Sequence, residues 1–413
     1  MVRSRLGLAV RPCVSAPLPR PQTRCFSLEA ARSPSSKTQV YVSKLRDPII
    51  NLSVEHCLMQ NTPPDSTILL LYINSPCVVF GRNQNPWTEV NLPRLAQLSN
   101  RPKEARWSDA PVQLVRRRSG GGCVFHDVGN VNFSVICPPP GFDRNKHANM
   151  VVRALHALGR DETSVSERHD IVYNYTGPEQ PGLYKVSGSA YKLTSRRSLH
   201  HGTCLLSSPN LKSISGMLRS PAEAFIQSNG VSSVRTPVKN LGIPTTDFRE
   251  AVMKEFEAMY GDFDIRDTLD ERVLDVPEVR KGCEELQTRA WVWGQTPKFT
   301  LSTYPYDKDT RERPPLPFDT KLRFQARHGI IEEVHLESSN MARSEPNIEA
   351  LMGQQIYDIA DWTKPLSEAG LQDHEADRVG AWLNESLGTE FSMLPTWQLN
   401  PKSYSFGEDE RLS

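Results

Sequence analysis

The sequence predicts an α/β (α+β) protein in which a larger domain precedes a smaller α+β one, and three observations predict it. Short apolar runs bounded by turn residues, Ile68 to Ile73, Cys77 to Gly81 and Val112 to Val115, read as buried strands. Apolar residues at helical spacing lie between and beyond them: Val151, Val152, Leu155 and Leu158, then Phe248, Val252, Phe256 and Met259. A highly charged segment, Arg266 to Gly282, separates this series from a second one built of a hairpin pattern and helical patterns. The 413-residue length suits two or three domains.

Before Glu29, the first acidic residue, stand five arginines (3, 5, 11, 20 and 24) and no lysine, among Ser, Thr and Ala. That is the composition of an organellar transit peptide, so residues 1–36 are expected to be a leader and the mature protein to reside in the mitochondrial matrix. Arg24-Cys25-Phe26-Ser27 fits a matrix processing site with cleavage after Phe26. Gln39 to Ser43 then alternates as a strand, and Leu52, Glu55, Cys57 and Leu58 mark a helix with Gln60 and Asn61 on its outer face. The runs on either side of Asn74-Ser75-Pro76 are expected to be paired, and Ser99 to Pro111 to be a surface loop. Pro138 to Gly141 ends a sheet, Asn149 to Leu158 is amphipathic with Gly159 as its cap, and Ile171-Val172-Tyr173 is a strand. Tyr175 to Gly182 is a turn-rich loop leading into Lys185, and Gly261 stops the helix through Phe256. Residues 266–285 read as a linker. Beyond it, Lys321 to Glu337 alternates around His328-Gly329, while Ile348 to Thr363 and His374 to Leu387 read as helices, the second stopped by Gly388.

Composition removes several classes of function. Forty-nine basic against forty-eight acidic side chains leave a net charge of +1, which lacks the clustered excess that binds a nucleic-acid backbone. No apolar run approaches the roughly 18 residues of a membrane span. The eight cysteines, at 13, 25, 57, 77, 123, 137, 204 and 283, form no C-x-x-C, so neither a zinc site nor a disulfide framework is expected, and a reducing compartment is.

Val112 to Ser134, V-Q-L-V-R-R-R-S-G-G-G-C-V-F-H-D-V-G-N-V-N-F-S, carries the chemistry. Gly120, Gly121 and Gly122 let amide N–H groups approach an anion closely, and Arg116, Arg117 and Arg118 add forked donors suited to phosphate oxygens. The same residues also suit a tight hairpin with a basic flank. Neither a Walker A loop nor a dinucleotide fingerprint is present.

A second cluster, Lys185 to Leu206, adds K-V-S-G-S-A-Y and H-H-G-T-C-L-L. Together with R-R-R-S-G-G-G-C-V-F-H-D-V-G-N, in this order and spacing, the chain resembles the lipoate-protein ligase A family. The resemblance extends from D-P-I-I-N-L-S-V-E-H through G-R-N-Q-N-P-W and S-S-V-R-T-P-V-K-N to W-V-W-G-Q-T-P-K-F at Trp291 to Phe299. It implies a mixed-sheet catalytic domain of the biotin/lipoate ligase type over 38–265 and a smaller C-terminal α+β accessory domain over 286–413. The implied activity is ATP-dependent ligation: lipoate becomes lipoyl-AMP, with Mg2+ on the triphosphate, and the acyl group passes to a lysine of a lipoyl domain. Acceptors in the family are the E2 subunits of 2-oxoacid dehydrogenases and the glycine cleavage H protein, and octanoate is an alternative substrate.

Carried onto this sequence, the resemblance makes Lys185 the catalytic cation that touches both the α-phosphate and the lipoyl group. Arg117 would contact nucleotide and lipoate, while Gly120, Gly121, Gly122, Cys123, Val124 and Phe125 would line the adenylate. Position 169, usually Asn in the family, is His here, and a structural contact between His169 and Asp170 is expected; Asp170 is also a candidate base. Val79, Phe80, Trp87 and Val131 to Phe133 are candidates for the acyl slot. His200 and His201 point to opposite faces of a strand and so do not share a metal. Rival readings are transfer from preformed lipoyl-AMP or an acylated protein, a thioester route through Cys123 or Cys204, and a noncatalytic scaffold for lipoyl domains. Biotin ligation lacks its G-R-G-R-x-G-R loop here.

Overall fold

The computed structural model describes residues 26–99, 112–305, 309, 311–343 and 345–393. Its strands are β1 Thr38–Ser43, β2 Thr67–Ile73, β3 Cys77–Phe80, β4 Gln113–Arg116, β5 Val124–His126, β6 Asn130–Cys137, β7 Thr163–Val165, β8 Ile171–Tyr175 and β9 Gly182–Ser187. They continue with β10 Ser189–Leu193, β11 Ser198–Leu205, β12 Ile226–Ser228, β13 Ile265–Leu269, β14 Phe299–Ser302, β15 Lys321–Arg327 and β16 Ile330–Glu337. A six-stranded sheet in the order β10-β11-β6-β2-β1-β13 forms the body. It is mixed, because β1 runs parallel to β2 and β13 while the other pairs are antiparallel.

Period-two alternation explains why β2 is apolar throughout. Leu69 and Leu71 face the helices Lys146–Ala157 and Thr245–Tyr260 in one core, whereas Ile68, Leu70 and Tyr72 face Pro48–Asn61 and Pro277–Gln287 in another. A strand covered on both faces has no polar side to show. The helix Thr245–Tyr260 stops at Gly261, whose φ of 83° needs no Cβ. At the hairpin, His328 and Gly329 both adopt positive φ, the conformation that joins β15 to β16 in two residues.

Several sequence expectations are corrected. The strands β2 and β3 do not pair: β2 lies between β1 and β6, and β3 is the centre of a second sheet ordered β4-β3-β5. The chain leaves the first sheet at Asn74, whose side chain is held by Asn51 at 2.9 Å, and Ser75 N donates to Arg46 O at 2.7 Å, so the segment crosses over instead of reversing. The arginine- and glycine-rich segment is consequently no hairpin, since β4 and β5 flank β3 on opposite edges.

Residues 266–285 are not a linker. Their first part completes β13 at the edge of the main sheet, and Val279, Cys283 and Leu286 form one apolar face of the helix Pro277–Gln287 that three- and four-residue spacing hid among charges. Within 26–36, residues read as leader, the short helix Leu28–Arg32 buries Leu28 and Ala31, and Phe26 meets Tyr41 edge-to-face at 5.6 Å. Residues 1–25, which carry the transit-peptide reading, and 100–111, most of the expected loop, lie outside the described residues. Ile348 to Thr363 is two short 3-10 turns, interrupted at Gly353 with φ 73°, and the helix starts only at Thr363.

A four-stranded sheet, β12-β14-β15-β16, belongs to the C-terminal part, yet β12 comes from residues 226–228. One core runs through this junction: Trp87 stacks on Trp293 with ring centroids 5.5 Å apart, and Val78, Leu95 and Phe125 join Phe299, Phe324 and Trp362. No helix among the described residues is long and apolar enough to cross a membrane.

Arg116 bolts the same junction. Its fully buried guanidinium donates to Arg82 O, Gln84 O and Val292 O and to Thr296 Oγ1, all at 2.9 Å, and sits 4.4 Å from the Phe80 ring centroid. Arg116→Met would leave those acceptors without donors, so a loss of about 3 kcal/mol in urea unfolding is expected. Arg116→Lys, which lacks the planar fork, recovers only part of it.

Candidate active site

A cavity of about 210 Å³ opens where the small sheet, the main sheet and the β7-β8-β9 sheet meet. Its first wall is the glycine loop. Arg117 follows Arg116 at the end of β4 and turns the opposite way, as alternation requires. Its Nη2 donates to Gly120 O at 2.6 Å and Gly122 O at 2.7 Å, its Nη1 to Val79 O at 3.2 Å, and its Nε to Ser119 Oγ at 3.0 Å. The guanidinium thus shapes the loop from within. Gly121 has φ 84°, and its carbonyl oxygen lies 2.2 Å from where a Cβ on Gly81 would stand, so both positions require glycine.

The opposite wall carries Lys185 on β9. Its Nζ is 2.7 Å from Asp170 Oδ2, with side-chain exposures of 25% for the lysine and 15% for the carboxylate. Asp170 Oδ1 accepts from Ser189 N at 3.2 Å, and Lys185 N donates to Pro237 O at 2.8 Å, so backbone on both sides fixes the pair. Charges this close and partly shielded from water attract strongly. The stretch Val231 to Val234 forms a lip, anchored where Ser233 Oγ accepts from Cys123 N at 2.8 Å.

The floor is formed by Leu52, Tyr72, Val79, His126, Asn132 and His201. His201 Nδ1 meets Glu55 Oε2 at 2.8 Å, and its Nε2 lies 2.6 Å from Ser119 Oγ. A continuous chain of polar contacts therefore runs from Arg117 through Ser119 and His201 to Glu55. Burial would push the Glu55 carboxyl up, but the His201 charge and hydrogen bond outweigh it and hold the pKa below its ordinary value. His126 is held neutral: burial, then the nearby Arg117 and His201 charges, lower its pKa to about 3.

The structure brings Arg117, Gly121, Gly122, Cys123, Val124 and Lys185 together around the cavity. Gly120 and Phe125 do not line it. Gly120 instead offers its carbonyl to Arg117, and Phe125 alternates away from Val124 and His126 into the junction core. The three arginines do not present free forks: Arg116 and Arg117 are occupied as described, and Arg118 pairs with Glu285. The amide of Cys123 is likewise taken by Ser233. Burial pushes the Cys123 and Cys204 thiols well up, against their use as thiolates.

Of the expected acyl wall, Val79 and Asn132 face the cavity. Trp87 and Phe133 are core residues, Phe80 lies beneath Arg116, and Asn132 rather than its neighbours Val131 and Phe133 looks inward. The expected His169–Asp170 contact is absent: His169 adopts φ 64° and turns its Nδ1 to Asn145 Oδ1 at 2.7 Å, leaving Asp170 to Lys185. That left-handed conformation is one that Asn and His tolerate better than most residues. His200 and His201 do face opposite ways, towards Ser189 and Glu55 respectively.

Tyr72, His126, Glu55 and Ser233 were not singled out from sequence. Alternation from Val124 would have placed His126 beside it, whereas Glu55 and Ser233 arrive from distant segments with no local signal.

The mixed-sheet α+β fold that sets a glycine loop opposite a tethered lysine is of the lipoate-ligase type. Residues 47–257 match the family model "Lipoyl protein ligase A/B catalytic domain", and the chain belongs to that family. It is 32% identical over 373 residues to a Schizosaccharomyces pombe protein named "Putative lipoate-protein ligase A", covering 85% of this chain and 94% of the other. In fold it is similar to P. falciparum LipL1, solved in complex with lipoate, at TM-score 0.50 and 21% identity, covering 84% of this chain and 99% of that one.

Glu55 makes the relay testable by pH. A carboxyl held below its ordinary 4.5 contributes stability that is complete above that value and is lost as pH falls through the lower, folded one. Glu55→Gln is expected to cost on the order of 2 kcal/mol near neutrality. Urea midpoints of variant and wild type should converge as the solution is acidified, and a constant gap would count against the pairing.

Proposed function

We propose that the chain is an ATP-dependent lipoate-protein ligase that makes lipoyl-AMP and transfers the lipoyl group to a lysine of a lipoyl domain. The observation that carries this reading is the Lys185–Asp170 pair facing the glycine loop across one cavity. A carboxylate and an amine do not condense near neutral pH, so the carboxylate first attacks the α-phosphorus of ATP and pyrophosphate leaves. Charge grows on phosphoryl oxygens in that step, and Lys185 is the compact cation placed to offset it. Arg117 acts from behind the loop: with its donors engaged by Val79, Ser119, Gly120 and Gly122, it keeps the loop in shape and adds a buried positive charge.

As Lys185 turns to the adenylate, Asp170 is left as the nearest carboxylate at the mouth. There it draws in the acceptor lysine, whose ammonium must lose a proton before attack; with a free pKa of about 10.4 the neutral amine is scarce near neutrality. Proximity to Lys185 lowers that pKa further, and Asp170 takes the proton or passes it to solvent. Magnesium would be carried on the nucleotide's phosphates. The arginine-rich, acid-free leader supports a mitochondrial matrix location, and E2 subunits of 2-oxoacid dehydrogenases and the glycine cleavage H protein are the acceptors expected there.

Lys185→Ala should reduce lipoylation of an acceptor domain by about 10²- to 10³-fold in a chain that still unfolds cooperatively. Exchange of labelled pyrophosphate into ATP, dependent on lipoate, tests the activation step. No exchange, with intact transfer from preformed lipoyl-AMP, would make the protein a transferase without its own activation.

A further inference from the structure

His126 holds a buried hydrogen-bond donor that the reaction described above does not use. The ring is 4% exposed and lines the cavity floor. Its proton position follows from a chain of fixed side chains. Ser43 Oγ donates to Asn51 Oδ1 at 2.7 Å, and Asn51 Nδ2 donates to Leu45 O at 3.0 Å and to Asn74 Oδ1 at 2.9 Å. Asn74 must therefore turn its Nδ2 to His126 Nδ1, 2.9 Å away, which makes Nδ1 the acceptor. The ring is neutral, so its single proton sits on Nε2, and Nε2 has no partner in the structure. Buried donors are nearly always satisfied, and one left without a partner on a ring that lines a cavity points to an acceptor supplied by a guest.

The position of His126 along β5 says which part of the guest. The space beside Gly188 is shared by Lys185 Nζ and Val124 Cγ1, which lie 3.5 and 3.6 Å from the position a Cβ there would take. His126 follows Val124 by two residues on the same face of β5, roughly 7 Å along the strand. A carboxyl group held near Lys185 therefore sends several methylenes of its chain past Val124 before the chain meets His126. Around that point the floor offers Leu52, Val79 and Tyr72, and its other polar side chains, Asn132 and His201, are already hydrogen-bonded within the protein.

We infer that His126 Nε2–H selects acyl chains carrying an acceptor atom towards their far end, such as the sulfurs of a dithiolane ring, over plain alkyl chains of the same length. The inference rests on the ligase reading for its substrate class. A divalent sulfur is a weak acceptor, but it leaves the donor partnered, whereas a methylene at the same place leaves it buried and bare. The expected preference for lipoyl over octanoyl is on the order of ten-fold.

The test offers the full chain equal lipoate and octanoate, once with ATP and once as preformed acyl-adenylates, and reads the two masses on an acceptor domain. His126→Phe should bring the lipoyl-to-octanoyl ratio close to one, with octanoyl use rising as lipoyl use falls; His126→Gln, which returns an N–H, should restore part of the preference. An unchanged ratio, or an equal fall in both products, overturns the inference, because damage to folding alone lowers both. A second measurement needs no variant: calorimetry on the wild-type chain with octanoate and with 6-thiaoctanoate, in which one sulfur replaces a methylene. Tighter binding of the thia acid supports the role of His126, and equal binding overturns it. If the wild type attaches neither acid from either donor, the ligase reading falls, while the calorimetric comparison still decides this one.

Discussion

Two neighbouring guanidinium groups hold this molecule in its working shape. At the end of one short strand, Arg116 and Arg117 point in opposite directions, and each is surrounded by oxygen acceptors rather than by carboxylates. Arg116 reaches across the seam to the backbone of Val292 and the hydroxyl of Thr296, while Arg117 reaches into the glycine loop. Burying such a charge is costly unless nearly every donor finds an acceptor, so each arginine requires its surroundings to be built around it. The seam and the loop are thus set by consecutive residues, and the C-terminal part cannot shift far without disturbing the strand from which the loop departs.

The cavity between them combines two kinds of control. Around its mouth, groups whose charge matters sit close together and partly out of water: Lys185 against Asp170, both pinned by backbone contacts. Deeper in, charge is suppressed. Burial keeps His126 neutral, while the charge and hydrogen bond of His201 hold the Glu55 carboxyl below its ordinary pKa in spite of burial. On the proposed reading, an acyl chain entering this space would meet ionic chemistry at one end and, at the other, shape and the unpartnered N–H of His126. Such a gradient would let one cavity take a carboxylate and its aliphatic tail in only one direction.

Glycine serves the site through contact more than through flexibility. A methyl group on Gly81 would strike the carbonyl of Gly121, and one on Gly121 would sit at a positive φ against Arg117 and Ala190. Ser233, arriving from a segment more than a hundred residues away, closes the remaining gap by accepting the Cys123 amide. The loop is consequently preformed, and its shape depends on a partner that local spacing does not reveal.

Local pattern was enough to locate several of the strands, two amphipathic helices and the ordered motifs that define the family, because alternation and helical spacing are properties of neighbouring residues. The resemblance carried by those motifs, rather than alternation or helical spacing, marked Lys185 and the glycine loop as parts of one site. What neighbours could not decide was partnership. The separation of β2 from β3, the capture of residues 265–269 as an edge strand and the assignment of three arginines to carbonyls or a carboxylate all depend on groups far along the chain. The same is true of Asp170: beside His169 in sequence, it pairs with Lys185 because the left-handed turn at 169 sends the imidazole elsewhere. Amino-acid order by itself determined which residues could bear charge, bend sharply or hide from water; the tertiary structure decided which of those charges were satisfied, since that depends on three-dimensional proximity rather than on composition.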